Sequence, residues 1–113
     1  MMVCRGDVWL VNLNPVKKNN EVGKIRPVVV MQNDELNEGS YPTTVILPMT
    51  TSLIDDAEPL RLRVSARDAL EQDSDILIAH IRSIDNARFI KKLTSLTKEE
   101  MQILKEFLFE VLS

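Results

Sequence analysis

Short β-branched runs followed by one amphipathic terminal segment predict a small, mainly β (α+β) barrel closed by a C-terminal α-helix. Three observations carry that expectation. Val28-Val29-Val30 is a run of β-branched residues too short for a helix and suited to a buried strand. Residues 60–64 alternate Leu, Arg, Leu, Arg, Val, the period of a half-exposed strand. Thr97-Lys98-Glu99-Glu100 spells a capping box, and it opens a helix. In that helix Met101, Leu104, Phe107, Leu108, Val111 and Leu112 recur at three- and four-residue spacing as one apolar stripe.

The elements follow in order. Residues 7–13 form a first strand with Trp9, Val11 and Leu13 on one face, ended by Asn14-Pro15. A polar loop, 16–24, leads to a second strand, 25–32. Pro27 has no N–H for a ladder and belongs at a strand start or edge, and it forces Arg26 into an extended conformation. A loop at 33–42 precedes a third strand at 43–49, and the two apolar strands suggest a long hairpin. A register in which paired residue numbers sum to about 76 would set Arg26 opposite Thr50 and Gln32 opposite Thr44. Residues 65–72 form a turn of helix, and 75–84 a bent strand with Ile76, Ile78 and Ile81 apolar. With only three glycines, most turns fall to Asn, Asp, Ser and Pro.

At 113 residues the chain reads as one domain, 1–113, long enough to bury a core without staples. Its 44% hydrophobic and 27% charged residues are typical of a soluble globular domain. Cys4 is the single cysteine, so nothing asks for an oxidising compartment. No secretion signal and no membrane-length apolar run is present, which makes a cytoplasmic location the expectation. The net charge of −3 is unevenly spread. Residues 1–33 carry five basic and two acidic side chains, residues 34–75 three and ten, and residues 76–113 six and five. If the acidic middle segment faces away, a local positive site survives on an acidic protein, with weak non-specific binding to nucleic acid.

Candidate functional residues each admit two readings. Arg26 is a surface arginine at a strand start, or a planar fork aimed by stiff backbone at a phosphate or carboxylate. Thr51 and Ser52 are a polar turn, or substrate contacts. His80, the only histidine, is a general base or a partly buried structural residue within a strand. Arg82 and Asp85 invite an ion pair across a bend, with a phosphate contact open to Arg82. Lys17, Lys18, Asn19, Asn20 and Lys24 make a solvated loop, or a flap placing lysines on phosphates and asparagines on base edges. Tyr41 is the one plausible stacking platform for a base. Arg5-Gly6-Asp7 marks a turn into the first strand.

The order of several motifs adds to these residues. Arg5-Gly6-Asp7-Val8-Trp9-Leu10-Val11-Asn12-Leu13-Asn14-Pro15 is followed by Arg26-Pro27-Val28-Val29-Val30 and Asn33-Asp34. Further on come Leu47-Pro48-Met49-Thr50-Thr51-Ser52 and Ile81-Arg82-Ser83-Ile84-Asp85. From Arg5 to about Leu96 this order and spacing resembles the MazF/PemK (Kid) family of bacterial toxin endoribonucleases. The resemblance implies an SH3-like, CcdB-like barrel acting as a homodimer and a sequence-specific, metal-independent cleavage of single-stranded mRNA. The implied products are a 2′,3′-cyclic phosphate and a 5′-hydroxyl, and no cofactor is implied. It implies Arg26 and Thr50 as the catalytic pair. RNA contacts are expected from Lys17, Lys18, Asn19, Lys24, Asn33, Thr51, Ser52, His80 and Arg82. The implied partner is a labile, MazE-like antitoxin whose acidic C-terminal segment covers the RNA groove. The Kid branch has an arginine and an aspartate where Leu77 and Ala79 stand here, so only the Arg–Thr mechanism transfers. Two alternatives are a gyrase-binding toxin of the CcdB type, which cuts nothing, and a degenerate homologue that binds antitoxin only. The absence of a terminal tryptophan after Phe109 and the retained Arg–Thr pair favour the nuclease.

Overall fold

The computed structural model describes residues 2–13 and 24–113. Seven strands and a long C-terminal helix account for most of them, in accord with the predicted fold class. The strands are β1 (Asp7–Asn12), β2 (Ile25–Val30), β3 (Thr43–Thr50), β4 (Arg61–Val64), β5 (Ser74–Leu77), β6 (Arg82–Asp85) and β7 (Phe89–Ser95). A short helix, α1 (Asp34–Glu38), lies between β2 and β3, and α2 (Lys98–Leu112) ends the chain. All pairings are antiparallel, in the order β4-β5-β3-β2-β1-β7, with β6 also on β3. The two ends of this curled sheet approach each other. The Ala69 N–H, just beyond β4, donates to the Leu93 carbonyl of β7 at 3.2 Å, and the Thr94 hydroxyl donates to Asp68 at 2.7 Å.

The central strands are buried on both faces, which is why Val28-Val29-Val30 reads as an unbroken apolar run. Val8, Val29, Leu47, Met49, Val64, Ile76 and Leu104 pack on the side covered by α2. Trp9, Val11, Val28, Val30, Ile46, Ile84 and Phe89 form a second cluster on the opposite side, with Trp9 and Phe89 edge to face at 5.7 Å. Leu13 packs against that cluster, so the predicted Trp9, Val11, Leu13 face is present. The capping box of α2 is also present, with the Glu100 N–H on the Thr97 hydroxyl and the Thr97 N–H on the Glu100 carboxylate. Gly6 makes the predicted turn at φ +92°, a conformation that costs a residue with a Cβ. Its N–H donates to the Val30 carbonyl and its own carbonyl accepts from Leu96.

Several expectations need correction. Residues 33–42 are more than a loop, because the Asn33 side chain accepts from the Leu36 N–H and caps α1. Residues 65–72 form no helix. Asp68 has φ +50° and a tight turn joins Arg67 to Leu70, so the segment doubles back on itself. The strand expected at 75–84 is broken by a 3-10 turn, Ile78–His80, and its halves become β5 and β6. Strand β7 had no clear alternation to announce it, since its outward Ile90, Lys91 and Lys92 interrupt the pattern. In α2 the stripe is Met101, Leu104, Phe107, Leu108 and Val111, whereas Leu112 is 65% exposed.

Candidate nucleic-acid site

The expected hairpin register is observed. Val28, Val29 and Val30 pair with Pro48, Leu47 and Ile46, and each pair sums to 76. The ladder ends at Val28 and Pro48; continued two residues further, the same register would set Arg26 opposite Thr50. On their other sides, Arg26 pairs with Val11 and Thr50 with Asp75, which in turn pairs with Arg63. Directly opposed residues share a face, so Arg63, Asp75 and Thr50 form one row across β4, β5 and β3, and Arg26 and Val11 another across β2 and β1. Gln32 does not continue the ladder to Thr44. Its N–H shares the Val45 carbonyl with Met31, and its side chain bonds the Thr43 carbonyl and the Val45 N–H.

Arg26 is half-buried and makes no hydrogen bond or ion pair with another described residue. Its stem lies on the face of the second apolar cluster, in line with Val28 and Val30. Thr50 is half-buried at the end of β3. Its hydroxyl oxygen accepts the Ser52 N–H at 3.1 Å, so its own proton remains available for donation. Thr51 and Ser52 are exposed beside it. The Ser52 N–H and carbonyl are both engaged, and its hydroxyl is not bonded to any other described residue.

The remaining candidates are scattered more widely. Lys17, Lys18 and Asn19 lie outside the described residues; Lys24 is exposed immediately before β2. Arg82 pairs with Ile46 and is exposed on the face that carries Thr50, four residues along β3. His80 is not in a strand and is not buried; it is the exposed last residue of the 3-10 turn between β5 and β6, whose first residue, Ile78, is buried. Asp85 bonds the Ala87 N–H, so the expected pairing with Arg82 is not made. Asn33 lies seven residues beyond Arg26, at the far end of β2. At about 3.3 Å per residue that is roughly 20 Å from the Arg–Thr pair.

Sequence reasoning missed a polar cluster next to Thr50. The Asp75 carboxylate, 1% exposed, accepts from Arg63 Nε at 2.5 Å, Arg61 Nη1 at 3.0 Å and the Ile54 N–H at 3.0 Å. Burial pushes its pKa up, but the Arg63, Ile54 and Arg61 hydrogen bonds outweigh burial and hold it below the usual carboxylate range. Arg61 Nη1 also reaches the Ser52 carbonyl at 2.8 Å, and Arg63 Nη2 reaches Asp55 at 2.9 Å. Asp55, Asp56 and Glu58 line a cleft of about 300 Å³ with these groups. Part of the acidic middle segment therefore borders the candidate site and does not face away from it. The available signal was the alternation of Arg61 and Arg63 together with an acid leading directly into the apolar run Ile76-Leu77-Ile78.

The arrangement offers, on adjacent strands, a guanidinium with no charge partner among the described residues and a hydroxyl able to donate its proton. Such a pair can hold a phosphodiester through charge-assisted hydrogen bonds. Among the described residues, no helix is long and apolar enough to cross a membrane.

Comparison with known proteins bears on the fold and on family membership. Residues 4–112 match the family model of the PemK-like, MazF-like toxin of type II toxin–antitoxin systems. A MazE–MazF complex from Deinococcus radiodurans is similar with a TM-score of 0.80 at 20% identity, covering 99% of this chain and 96% of that one. The Mycobacterium tuberculosis toxin MazF-mt6 gives a TM-score of 0.76 at 17% identity, covering 94% and 95%. An endoribonuclease in complex with its cognate antitoxin, from a mycobacterial species, gives 0.77 at 17% identity, covering 97% and 94%. At these identities the structures speak to the fold, and the family model supplies the membership. The chain belongs to the PemK-like, MazF-like toxins of type II toxin–antitoxin systems.

Proposed function

We propose that this toxin is an endoribonuclease that cuts single-stranded mRNA without a metal ion, with Arg26 and Thr50 at the reacting phosphate. The observation that carries the reading is an arginine with no charge partner among the described residues, on the strand next to Thr50, whose hydroxyl oxygen accepts the Ser52 N–H; the β2–β3 register, continued two residues past its last pair, would bring the two together. Cleavage begins when the ribose 2′-oxygen attacks the neighbouring phosphorus. The P–O5′ bond breaks, and the 2′-hydroxyl proton is balanced by one delivered to the departing 5′-oxygen. A 2′,3′-cyclic phosphate and a 5′-hydroxyl result, and no water is consumed. The crowded, dianionic intermediate is where Arg26 acts, through two parallel N–H donors. A guanidinium is a poor base, so removing the 2′-hydroxyl proton is not its part in the step. Thr50 donates to a phosphate oxygen in the same step.

Thr51, Ser52, Arg82 and the exposed His80 are suited to contacts along the strand. Lys24 and the basic residues before it would meet phosphates. The acidic rim of Asp55, Asp56 and Glu58 repels phosphate, so those positions suit the amino-bearing edges of bases. A MazE-like antitoxin with an acidic segment would compete for Arg26 and the basic loop. Exposed Phe109 and Leu112 support a second copy or antitoxin as a partner, and the protein would act in the cytoplasm as a homodimer.

The test is cleavage of a long single-stranded RNA in excess EDTA by the wild type and by Arg26→Ala. Retained cutting by the wild type, with loss of at least about 10²-fold in the variant, is the expected result. Wild-type cutting that stops with the chelator removes the metal-free mechanism. Equal cutting by both proteins removes Arg26. Gyrase with supercoiled DNA serves as the separate arm for a non-nucleolytic toxin.

A further inference from the structure

Residues 51–56 follow Thr50 without regular structure, and all six are exposed. No apolar packing fixes such a segment, so its shape depends on polar ties. Among the described residues those ties lead to one buried group. Asp75 holds the Ile54 N–H directly. Through Arg63 it reaches Asp55, and through Arg61 it reaches the Ser52 carbonyl. Ser52 then donates its N–H to the Thr50 oxygen, while the Thr50 and Asp75 backbones lie opposite each other in the sheet. A relay thus runs from Asp75 to Arg61 to Ser52 to the Thr50 hydroxyl.

We propose that Asp75 is a positioning residue for the site: acting through Arg61 and Ser52, it fixes the direction in which Thr50 offers its proton. Burying a carboxylate in β5 is expensive, and an apolar residue there would satisfy the sheet alone. The charge is what allows two arginines to converge on one point and pull the loop against the strand. The Ser52 N–H occupies one lone pair of Thr50, so the O–H is left to point away from Ser52. Arg61 does not touch the reacting atoms in this arrangement. Its contribution is to hold the Ser52 carbonyl, which sets the orientation of the Ser52 N–H.

This inference rests on the nuclease reading, so the experiment must separate the two. Wild type, Asp75→Asn, Arg61→Lys and Arg26→Ala are compared in single-turnover cleavage of one long single-stranded RNA. Binding is titrated with an RNA methylated at every 2′-oxygen, and melting is recorded for each protein. The expected result is that Asp75→Asn binds the methylated RNA within about threefold of wild type but cuts about 10²-fold more slowly. Arg61→Lys keeps the positive charge and loses the fork; it should show the same split at about tenfold. A folded Asp75→Asn that cuts within about threefold of wild type overturns the proposal, as does a parallel loss of binding and cutting. Should Asp75→Asn fail to fold, Arg61→Lys decides by the same criteria. A wild type that cuts no RNA ends the nuclease reading by itself. Hydrogen exchange at the Ser52 and Ile54 amides then still reports on the anchor: faster exchange in Arg61→Lys supports it, and unchanged exchange overturns it.

Discussion

Replacing Thr50 by valine keeps the shape of the side chain and removes only the hydroxyl. Among the described residues that hydroxyl has one partner, the Ser52 N–H at 3.1 Å. Ser52 is exposed, so water replaces the lost acceptor and the cost to stability is about 0.5–1 kcal/mol. For a chain of this size that corresponds to a fall in melting temperature of roughly 2–6 °C. The effect on cleavage is much larger if the hydroxyl donates to the phosphorane. Removing one such donor typically slows the chemical step by about 10²–10³, or roughly 2.7–4 kcal/mol. Rate and stability are therefore expected to separate by roughly 1.7–3.5 kcal/mol, a gap that loss of folded protein does not produce. Single-turnover cleavage at saturating protein, with melting followed by circular dichroism on the same preparations, measures both. Thr50→Ser restores the oxygen and should recover most of the rate. A folded Thr50→Val that cuts within about threefold of wild type would refute a role for the hydroxyl.

Glu100 does two jobs that substitution can separate. It closes the cap on α2 and pairs with Arg67 through two bonds of 2.6 and 2.7 Å, both side chains being about one-fifth exposed. Glu100→Gln keeps a cap acceptor but loses the charge, costing about 0.5–1.5 kcal/mol, and Glu100→Ala should lose about 1 kcal/mol more. Equal melting temperatures for the two variants would mean that the cap contributes nothing. The Arg67 hydrogen bond, with smaller help from the Thr97 backbone, holds the Glu100 pKa below its usual range. The unfolded chain then takes up protons at a higher pH than the folded one. Stabilisation is complete above the unfolded value near 4.3 and is lost as pH falls through the folded value. Asp75 contributes with the same sign. Melting measured between roughly pH 6 and pH 3 should therefore fall less steeply in Glu100→Gln than in wild type, and parallel curves would contradict the linkage. Arg26→Lys keeps the charge and loses the fork; its RNA affinity should hold within about threefold while cutting drops at least tenfold. Loss of binding and cutting together would make Arg26 an affinity residue only.

Local chemistry made much of this protein legible in its sequence. The capping box and apolar stripe announced α2, because a helix of this kind carries its start signal and its buried face within one turn of each other. The run after Pro27 announced β2, because only a strand buried on both faces is apolar at every position. Register also followed: strands β2 and β3 present continuous apolar runs, and a one-residue slip would reverse every side chain between the two clusters. The order of the motifs gave the family. The sequence did not reveal α1, the break at Ile78–His80 or strand β7, where a single cap, a single bend or a partner strand decides the outcome. It also concealed Asp75. An acid at the polar start of a strand reads as a solvent-facing residue until Arg61, Arg63 and Ile54 are folded onto it from up to 21 positions away. Burial and pairing are properties of how distant segments meet, so the sequence could nominate Arg26 and Thr50, while only the folded sheet decided what stands beside them and holds the loop in place.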